Sequence, residues 1–172
     1  MIVSDTKEIR TFWEGCRTKH GIVQASYHVS TLVDPECLDP NVPTLDLSDQ
    51  PKLILAHQKR GTAHMAMDFE INNIPRRVTG DYWVILDPSE NPIGLVRVTD
   101  VYESTFLSVP VSFSVQEGEG DMSLRFWREA HRDYFVLQCE KIGIKWDESC
   151  VVVCESFELI EPFSVSATEE LD

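Results

Sequence analysis

The stretch EGEGD alternates carboxylates with glycines over five consecutive residues. Glycine tolerates a positive φ, so the carboxylates that it separates can converge on one point. Carboxylates that converge could bind a divalent metal, or one of them could act as a general acid. The sequence lacks the remaining spacing of a calcium-binding loop. We favour a different interpretation, with no metal or other cofactor, in which one glutamate accepts hydrogen bonds from a nucleobase or pairs with Lys59. The three acids are Glu117, Glu119 and Asp121, of which Asp121 is the most typical of a helix cap.

Lys59 and Thr62 form a second pair of side chains that could carry chemistry. A lysine against low-dielectric walls can have a lowered pKa and act as a base, or stay charged and hold a phosphate. The threonine hydroxyl could bind the same anion or attack a carbonyl. In an enzyme, Lys59 would be the base, Thr62 the nucleophile or its orienting group, and Glu119 the acid–base partner. The alternative is a solvated helix end, where Lys59 and Arg60 suit the helix dipole.

The overall charge restricts how such a site could bind a nucleic acid. The chain has 15 basic and 29 acidic residues, a net charge of -14, and that field repels phosphates. Binding of RNA therefore needs a local basic groove, which Lys59 could form together with Arg76, Arg77 and Arg97. Arginine suits bidentate recognition of phosphate. The alternative is that these arginines pair with the many acids at the surface.

Aromatic and sulfur-containing side chains are weaker indications of a functional site. Tyr82 and Trp83 could stack on an unpaired base, but neighbouring strand residues point to opposite faces, so at most one faces a cleft; Tyr82 is the candidate. Trp127 and His131 lie on one side of a helix and are interpreted as core residues. Five cysteines without a framework pattern favour reduced thiols.

The pattern of elements predicts an α+β fold. A helix over about residues 5–19 is followed by a loop-like segment, 21–47, and by a second helix capped by Ser48 or Asp49. YWVILD and GLVRVTDVYE alternate as a hairpin. A Ser/Val/Pro passage then leads through EGEGD to a long helix, which begins at Asp121 or Ser123 and ends near Gly143. CVVVCESFELI is the last strand.

The domain organisation follows from the same pass along the chain. Residues 1–162 are predicted to form a single domain, and residues 163–172 an acidic, flexible tail. No apolar run is long enough to cross a bilayer, and the first residues lack the apolar run of a signal peptide. We therefore expect a cytoplasmic protein that does not bind membranes; its oligomeric state is left open.

Taken in order, several of these pieces resemble the ASCH (activating signal cointegrator homology) domain family. They are FWE near the start, Lys59-x-x-Thr62, GDYWVILD with GLVRVTDV, EGEGD followed by WREAH, and VVVCESFELI. The resemblance covers about residues 12–160. It implies a PUA-like β-barrel with helices packed around it, and a cleft between barrel and helices lined by the Lys-x-x-Thr element and the acidic loop. The family is proposed to bind RNA; some members are ribonucleases, and one branch hydrolyses N4-acetylcytidine.

The chain departs from the amidohydrolase branch at one position that matters for its chemistry, and it also lacks the glycine common before the family's lysine, where it has His57 or Gln58. That branch has a glutamate where this chain has Arg97, so the acid would have to come from Glu117 or Glu119. The leading hypothesis is an RNA- or nucleotide-binding domain. An RNA-directed hydrolase that uses the same cleft and a protein-interaction module are the alternatives. The proposed ligand-binding residues are Lys59, Arg60, Thr62, Arg76, Arg77, Tyr82, Arg97, Glu117 and Glu119.

Overall fold

The computed structural model describes residues 5–34 and 49–164. Five helices and five strands alternate irregularly along this part of the chain, as an α+β fold requires. The helices are α1 Lys7–His20, α2 Gln50–Leu55, α3 Ala66–Ile71, α4 Val111–Glu117 and α5 Leu124–Lys141. The strands are β1 His28–Thr31, β2 Gly61–Met65, β3 Tyr82–Leu86, β4 Pro92–Thr105 and β5 Val151–Pro162.

The five strands form one mixed sheet in the order β1-β3-β4-β5-β2. β1 runs parallel to β3, and the other neighbours are antiparallel. The long β4–β5 pair shifts register between Leu95 and Val96 and again between Val98 and Asp100. Such bulges bend the strands and increase their twist. The sheet therefore curves into a half-barrel, and the predicted α+β architecture is confirmed.

The predicted hairpin divides its side chains between two cores. Val84 and Leu86 face α1, where they pack with Ile9 and Trp13. Trp83 and Ile85 face the opposite side of the sheet, where they pack with Leu32, Ile54, Val96 and Phe157. The alternation in YWVILD thus predicted both faces correctly. The predicted first helix is also present, because Ile9, Trp13 and Cys16 form its buried stripe.

Two elements were missed by the sequence analysis. β1 lies in the segment predicted to be loop-like, because its four residues form a strand only through parallel pairing with β3, about fifty residues later. Helix α4 occupies the Ser/Val/Pro passage; it has no side-chain cap and is anchored by the buried Phe113. As a result Glu117 is the last helical residue and does not belong to an open loop.

The structure decides which of the predicted cap residues begin α5 and α2. Ser123 caps α5 by accepting a hydrogen bond from the Phe126 N–H, whereas Asp121 accepts one from the Ser123 N–H. Asp49 holds the cap position of α2 without a side-chain hydrogen bond. Ser48, residues 35–47 of the predicted loop and the tail from residue 165 lie outside the described residues. The division at residue 162 stays a prediction.

Candidate functional site

Lys59 is buried where α2 passes into β2. The Lys59 N–H donates to the carbonyl of Leu53, and Arg60 bonds through its backbone to Gln116 and Phe157. These bonds fix the segment between α4 and β5. The Lys59 side chain is only 1% exposed, and its Nζ lies 2.9 Å from a carboxylate oxygen of Glu117 and 2.9 Å from one of Glu119.

The two glycines of the acidic stretch allow this approach. Gly118 is left-handed (φ 68°), and a Cβ there would lie 2.5 Å from the carbonyl oxygen of Gln58. Gly120 also has a positive φ, and its Cβ would meet the ring of Phe126 at 2.5 Å. Only glycine accommodates both the backbone angle and the contact. The expected positive φ angles and the expected pairing of a glutamate with Lys59 are therefore confirmed.

Helix α5 supplies the remaining partners of Glu117. The Trp127 indole donates to Glu117 Oε1 at 2.9 Å, and His131 Nε2 lies 3.3 Å from the same oxygen. His131 Nδ1 is 2.9 Å from the backbone oxygen of Trp127, so both ring nitrogens face acceptors. That geometry favours the doubly protonated imidazolium. Together with Gln50, which donates to Glu119 at 2.8 Å, we call this set the lysine network: Gln50, Lys59, Glu117, Glu119, Trp127 and His131.

Burial and neighbouring charges have opposite effects on the pKa values of the lysine network. Burial by itself would lower the pKa of Lys59, but Glu117 and Glu119 outweigh it and the pKa is raised. Burial would raise the pKa of Glu117, yet Lys59 and His131 hold it well below its usual range. The pKa of His131 is raised because the charge of Glu117 outweighs desolvation. Lys59 is thus a cation and Glu117 an anion at neutral pH, which disfavours Lys59 as a general base.

A cleft opens from this network along β1, β2 and α5. Its narrow part has a volume of about 20 Å³ and is lined by Lys59, Thr62, Glu117, Glu119 and His131, among others. Its wide part, of about 290 Å³, is lined by residues of β1, α3 and α5 and by Arg77. The two parts share the lining residues Leu32, Val33 and Tyr134, so they lie next to each other.

A second buried ion pair lies beside the wide part. Arg77 donates to both carboxylate oxygens of Glu155, at 3.0 and 2.6 Å, and its guanidinium lies 3.9 Å from the centre of the Trp83 ring. His64 Nε2 is 3.4 Å from Glu155. Burial would raise the pKa of Glu155, but Arg77 and His64 lower it to about 2. We call Arg77, Glu155, His64 and Trp83 the arginine network.

The predicted site residues separate into two groups. Lys59, Thr62, Glu117 and Glu119 line the narrow part of the cleft, whereas the arginines do not join Lys59 in a basic groove. Arg77 is neutralised by Glu155, and the exposed side chains of Arg76 and Arg97 pair with Glu103 and Glu158. The groove expectation was wrong, because each of these arginines has an acid partner that sequence spacing does not indicate.

The remaining candidates lie apart from the narrow part. Arg60 is exposed, and Tyr82 packs against Trp13 on the α1 side of the sheet, 5.6 Å between ring centres. Asp121 is exposed and bonds to Ser123, so it does not join the two glutamates. Within residues 5–34 and 49–164, no group of three or more His, Cys, Asp or Glu side chains is arranged to hold a metal.

Sequence reasoning missed several cleft residues. Glu155 is a charge inside the apolar run VVVCESF, and this misfit was a usable signal. It lies directly across from Thr62 in the β2–β5 ladder. His131 was interpreted as a core residue; it does share a helix side with Trp127, but it also lines the cleft. Gln50, His64 and Gln138 carried no signal, because polar residues at such positions are usually exposed.

Comparisons with known proteins agree on one family and fold. The ASCH domain family model matches residues 46–161. A crystal structure of an ASCH domain from Lactobacillus crispatus JV V101 is similar with a TM-score of 0.73 and 25% identity, covering 91% of this chain and 96% of that chain. A crystal structure of a protein from Enterococcus faecalis V583 gives a TM-score of 0.77 at 20% identity, covering 96% and 98%, and supports the fold alone.

A search of curated proteins finds no match. Of the helices within residues 5–34 and 49–164, none is long and apolar enough to cross a membrane.

Proposed function

Because this chain belongs to the ASCH domain family, as its ordered motifs predicted, we propose that its cleft binds one nucleoside-sized unit of an RNA or of a free nucleotide. ASCH domains are generally nucleic-acid-binding. The observation that carries the proposal is the polar cleft itself, with a wide part of about 290 Å³ above a buried lysine network. Ligand pockets commonly start at roughly 300 Å³ and hold a few well-placed polar groups. That size suits a single base and its sugar.

The charges around the cleft favour recognition of the base over the phosphate. Lys59 is paired with two glutamates, Arg77 with Glu155 and Lys141 with Asp34. Cations whose charge is already compensated have little left to offer a phosphate. We therefore withdraw the role of phosphate clamp from Lys59, Arg76, Arg77 and Arg97. Hydrogen bonding to an unstacked base, the usual way in which proteins read single-stranded RNA, replaces it.

Calorimetry with the four nucleosides, their 5′-monophosphates and eight-nucleotide single-stranded RNAs tests the proposal. We expect at least one nucleoside to bind, and RNA that contains this base to lose less than about fivefold in affinity between 50 and 200 mM salt. A protein with many phosphate contacts loses about 10³–10⁵-fold over that range.

Matched variants locate the site in the same experiment. Thr62→Val keeps the shape of the buried side chain and removes its hydroxyl, so we expect binding about tenfold weaker. Arg97→Ala, at an exposed ion pair outside the cleft, is the control and leaves affinity unchanged. Failure of every nucleoside and RNA to bind, or binding that is steeply salt-dependent and indifferent to Thr62→Val, contradicts the proposal. A complete failure would favour a protein-interaction module.

A hydrolase is the second candidate, because a buried charged network lies beside Thr62 in the same narrow part. Perturbed pKa values concentrate at functional sites. Lys59 as a fixed cation would stabilise negative charge on a carbonyl or phosphoryl oxygen. Thr62 would be the nucleophile or would orient water, with Glu119 as acid–base partner.

Turnover of labelled RNA and of N4-acetylcytidine, each with and without a chelator, tests this candidate. We expect any turnover to survive the chelator and to fall at least a hundredfold in Glu119→Gln, the usual scale of acid–base catalysis. Absence of turnover with both substrates leaves the binding function alone.

A further inference from the structure

Glu119 is the carboxylate of the lysine network that is open to the cleft. Its side chain is 19% exposed, against 1% for Lys59 and 2% for Glu117. Glu117 uses both of its oxygens inside the protein, because Oε2 accepts from Lys59 and Oε1 accepts from the Trp127 indole. Glu119 also lines the narrow part of the cleft. It is therefore the carboxylate of the network that a ligand can reach.

The contacts of Glu119 fall on one of its two oxygens. Oε1 accepts from the Gln50 amide at 2.8 Å, and the closest approach of Lys59 Nζ, 2.9 Å, is to the same oxygen. Within residues 5–34 and 49–164, no hydrogen bond reaches Oε2. Oε2 is not sealed either, because the unbonded side-chain atoms without access to solvent in this part of the chain belong to other residues. Since each carboxylate oxygen has two lone pairs, Oε2 is an acceptor that the protein leaves open.

The size of the narrow part limits what can reach this acceptor. Its volume of about 20 Å³ is close to the space that one water needs, roughly 10–15 Å³. A single heavy atom with hydrogens to donate fits both that space and the carboxylate. The amino group of a nucleobase has this composition, and the ring that carries it would lie in the wide part, of about 290 Å³. A carbonyl oxygen in the same place would put two acceptors against each other.

We propose that Glu119 makes the cleft selective for nucleobases that carry an exocyclic amino group, by accepting an N–H of that group with Oε2. This inference rests on the proposed function and names its ligand class, which includes cytosine, adenine and guanine and leaves out uracil and hypoxanthine. Glutamate and aspartate are the usual acceptors for the amino group of cytosine in protein–nucleic acid complexes. A site built to bond an N–H discriminates strongly against the analogue without it, since the acceptor is then left unpaired.

Pairs of nucleosides that differ in the amino group test the selection directly. They are cytidine against uridine, adenosine against inosine and guanosine against inosine, and calorimetry measures the affinity of the wild type for each. In at least one pair we expect the amino-bearing member to bind about tenfold more tightly than its partner, because the partner leaves Oε2 unbonded. In no pair should the member without the amino group bind more tightly.

Glu119→Gln should change which group faces the ligand. Gln50 and Lys59 both approach Oε1 as donors, so the amide oxygen of the variant takes that place and its NH₂ takes the place of Oε2. A donor then replaces the acceptor in the narrow part. We expect uridine to bind more tightly than cytidine, inosine more tightly than adenosine, and guanosine to lose its advantage over inosine.

Asp121→Asn is the matched control for this variant. It removes a carboxylate from the same acidic stretch, but Asp121 is exposed and bonds to Ser123 outside the lysine network. We expect the control to keep the wild-type preference in every pair.

The outcomes separate the two proposals. No preference for the amino-bearing member in the wild type, or a preference that Glu119→Gln leaves unchanged, overturns the inference while nucleoside binding still supports the proposed function. If the variant does not fold, the wild-type pairs decide by themselves. Absence of nucleoside binding overturns both.

Discussion

The two ion-pair networks at the cleft differ in burial and in the balance of their charges. In the arginine network Arg77 and Glu155 pair one to one: both oxygens of Glu155 are bonded to Arg77, and the guanidinium lies against Trp83. His64 lies 3.4 Å from the same carboxylate. In the lysine network a single lysine is shared by two carboxylates, and His131 supplies a third group that can take a proton. The first network is saturated and holds strands together. The second has two carboxylates for one lysine, and one of them, Glu119, is 19% exposed.

The largest effect should come from removing the shared cation. Lys59→Met leaves Glu117 buried with a charge that only His131 can offset, so we expect a loss of about 3–5 kcal/mol in the free energy of unfolding. Urea denaturation measures it. The triple variant Lys59→Met/Glu117→Gln/Glu119→Gln should recover much of the loss. If the free energy of unfolding of Lys59→Met lies within about 1 kcal/mol of the wild-type value, Lys59 is not needed to offset the buried charge of Glu117.

The second-largest effect should come from a substitution in the turn that brings Glu117 and Glu119 to Lys59. Gly118→Ala would force a Cβ against the Gln58 carbonyl in addition to the positive φ, and we expect a loss of roughly 2–4 kcal/mol. Gly143 has a similar φ of 72° with open space around it, so Gly143→Ala is the matched control and should cost about 1 kcal/mol. Equal losses at both positions would mean that the close approach at Gly118 contributes nothing.

A milder substitution in the arginine network should cause a smaller loss in the free energy of unfolding. Glu155→Gln keeps the shape and one acceptor, but removes the charge that Arg77 bonds, so we expect a loss of roughly 1.5–3 kcal/mol. The same urea series measures it. If the loss exceeded that of Lys59→Met, the two networks would have to be ranked the other way.

The smallest effect is a pH dependence that distinguishes the networks. The pKa of His131 is raised in the fold, so its stabilisation is complete below the unfolded pKa of about 6.5 and is lost as the pH rises through the folded pKa. We expect the stability difference between the wild type and His131→Gln to shrink above that pH.

The arginine network supplies the control for the same window. Glu155 has its pKa lowered to about 2, so its stabilisation is present above the unfolded pKa and is lost only as the pH falls towards 2. The difference between wild type and Glu155→Gln should stay nearly constant from pH 6 to 9. A constant difference for His131→Gln over that range would contradict the assignment of the titrating group.

Local patterns predicted the elements whose information lies within a few residues. Strand alternation placed the faces of β3, and the glycines of EGEGD predicted a turn with positive φ. The pairing of one glutamate of this stretch with Lys59, 58 residues away, was one of two options that the sequence left open. These features depend on short-range sterics and on the chemistry of a few side chains.

The partners of the arginines depend on long-range register instead. Arg97 lies opposite Glu158 only because two bulges shift β4 against β5, and Arg77 meets Glu155 from 78 residues away. No spacing in the sequence encodes these pairings. The prediction of a phosphate-binding groove failed for that reason.

An NMR titration of the amide groups with the best-binding nucleoside tests the central claim most directly. If the cleft binds the base, shifts should concentrate at residues 62–64 of β2 and 131–141 of α5 and saturate with a single affinity. Shifts that concentrate instead around Tyr82 and Arg97, on the β3–β4 hairpin, would contradict the account.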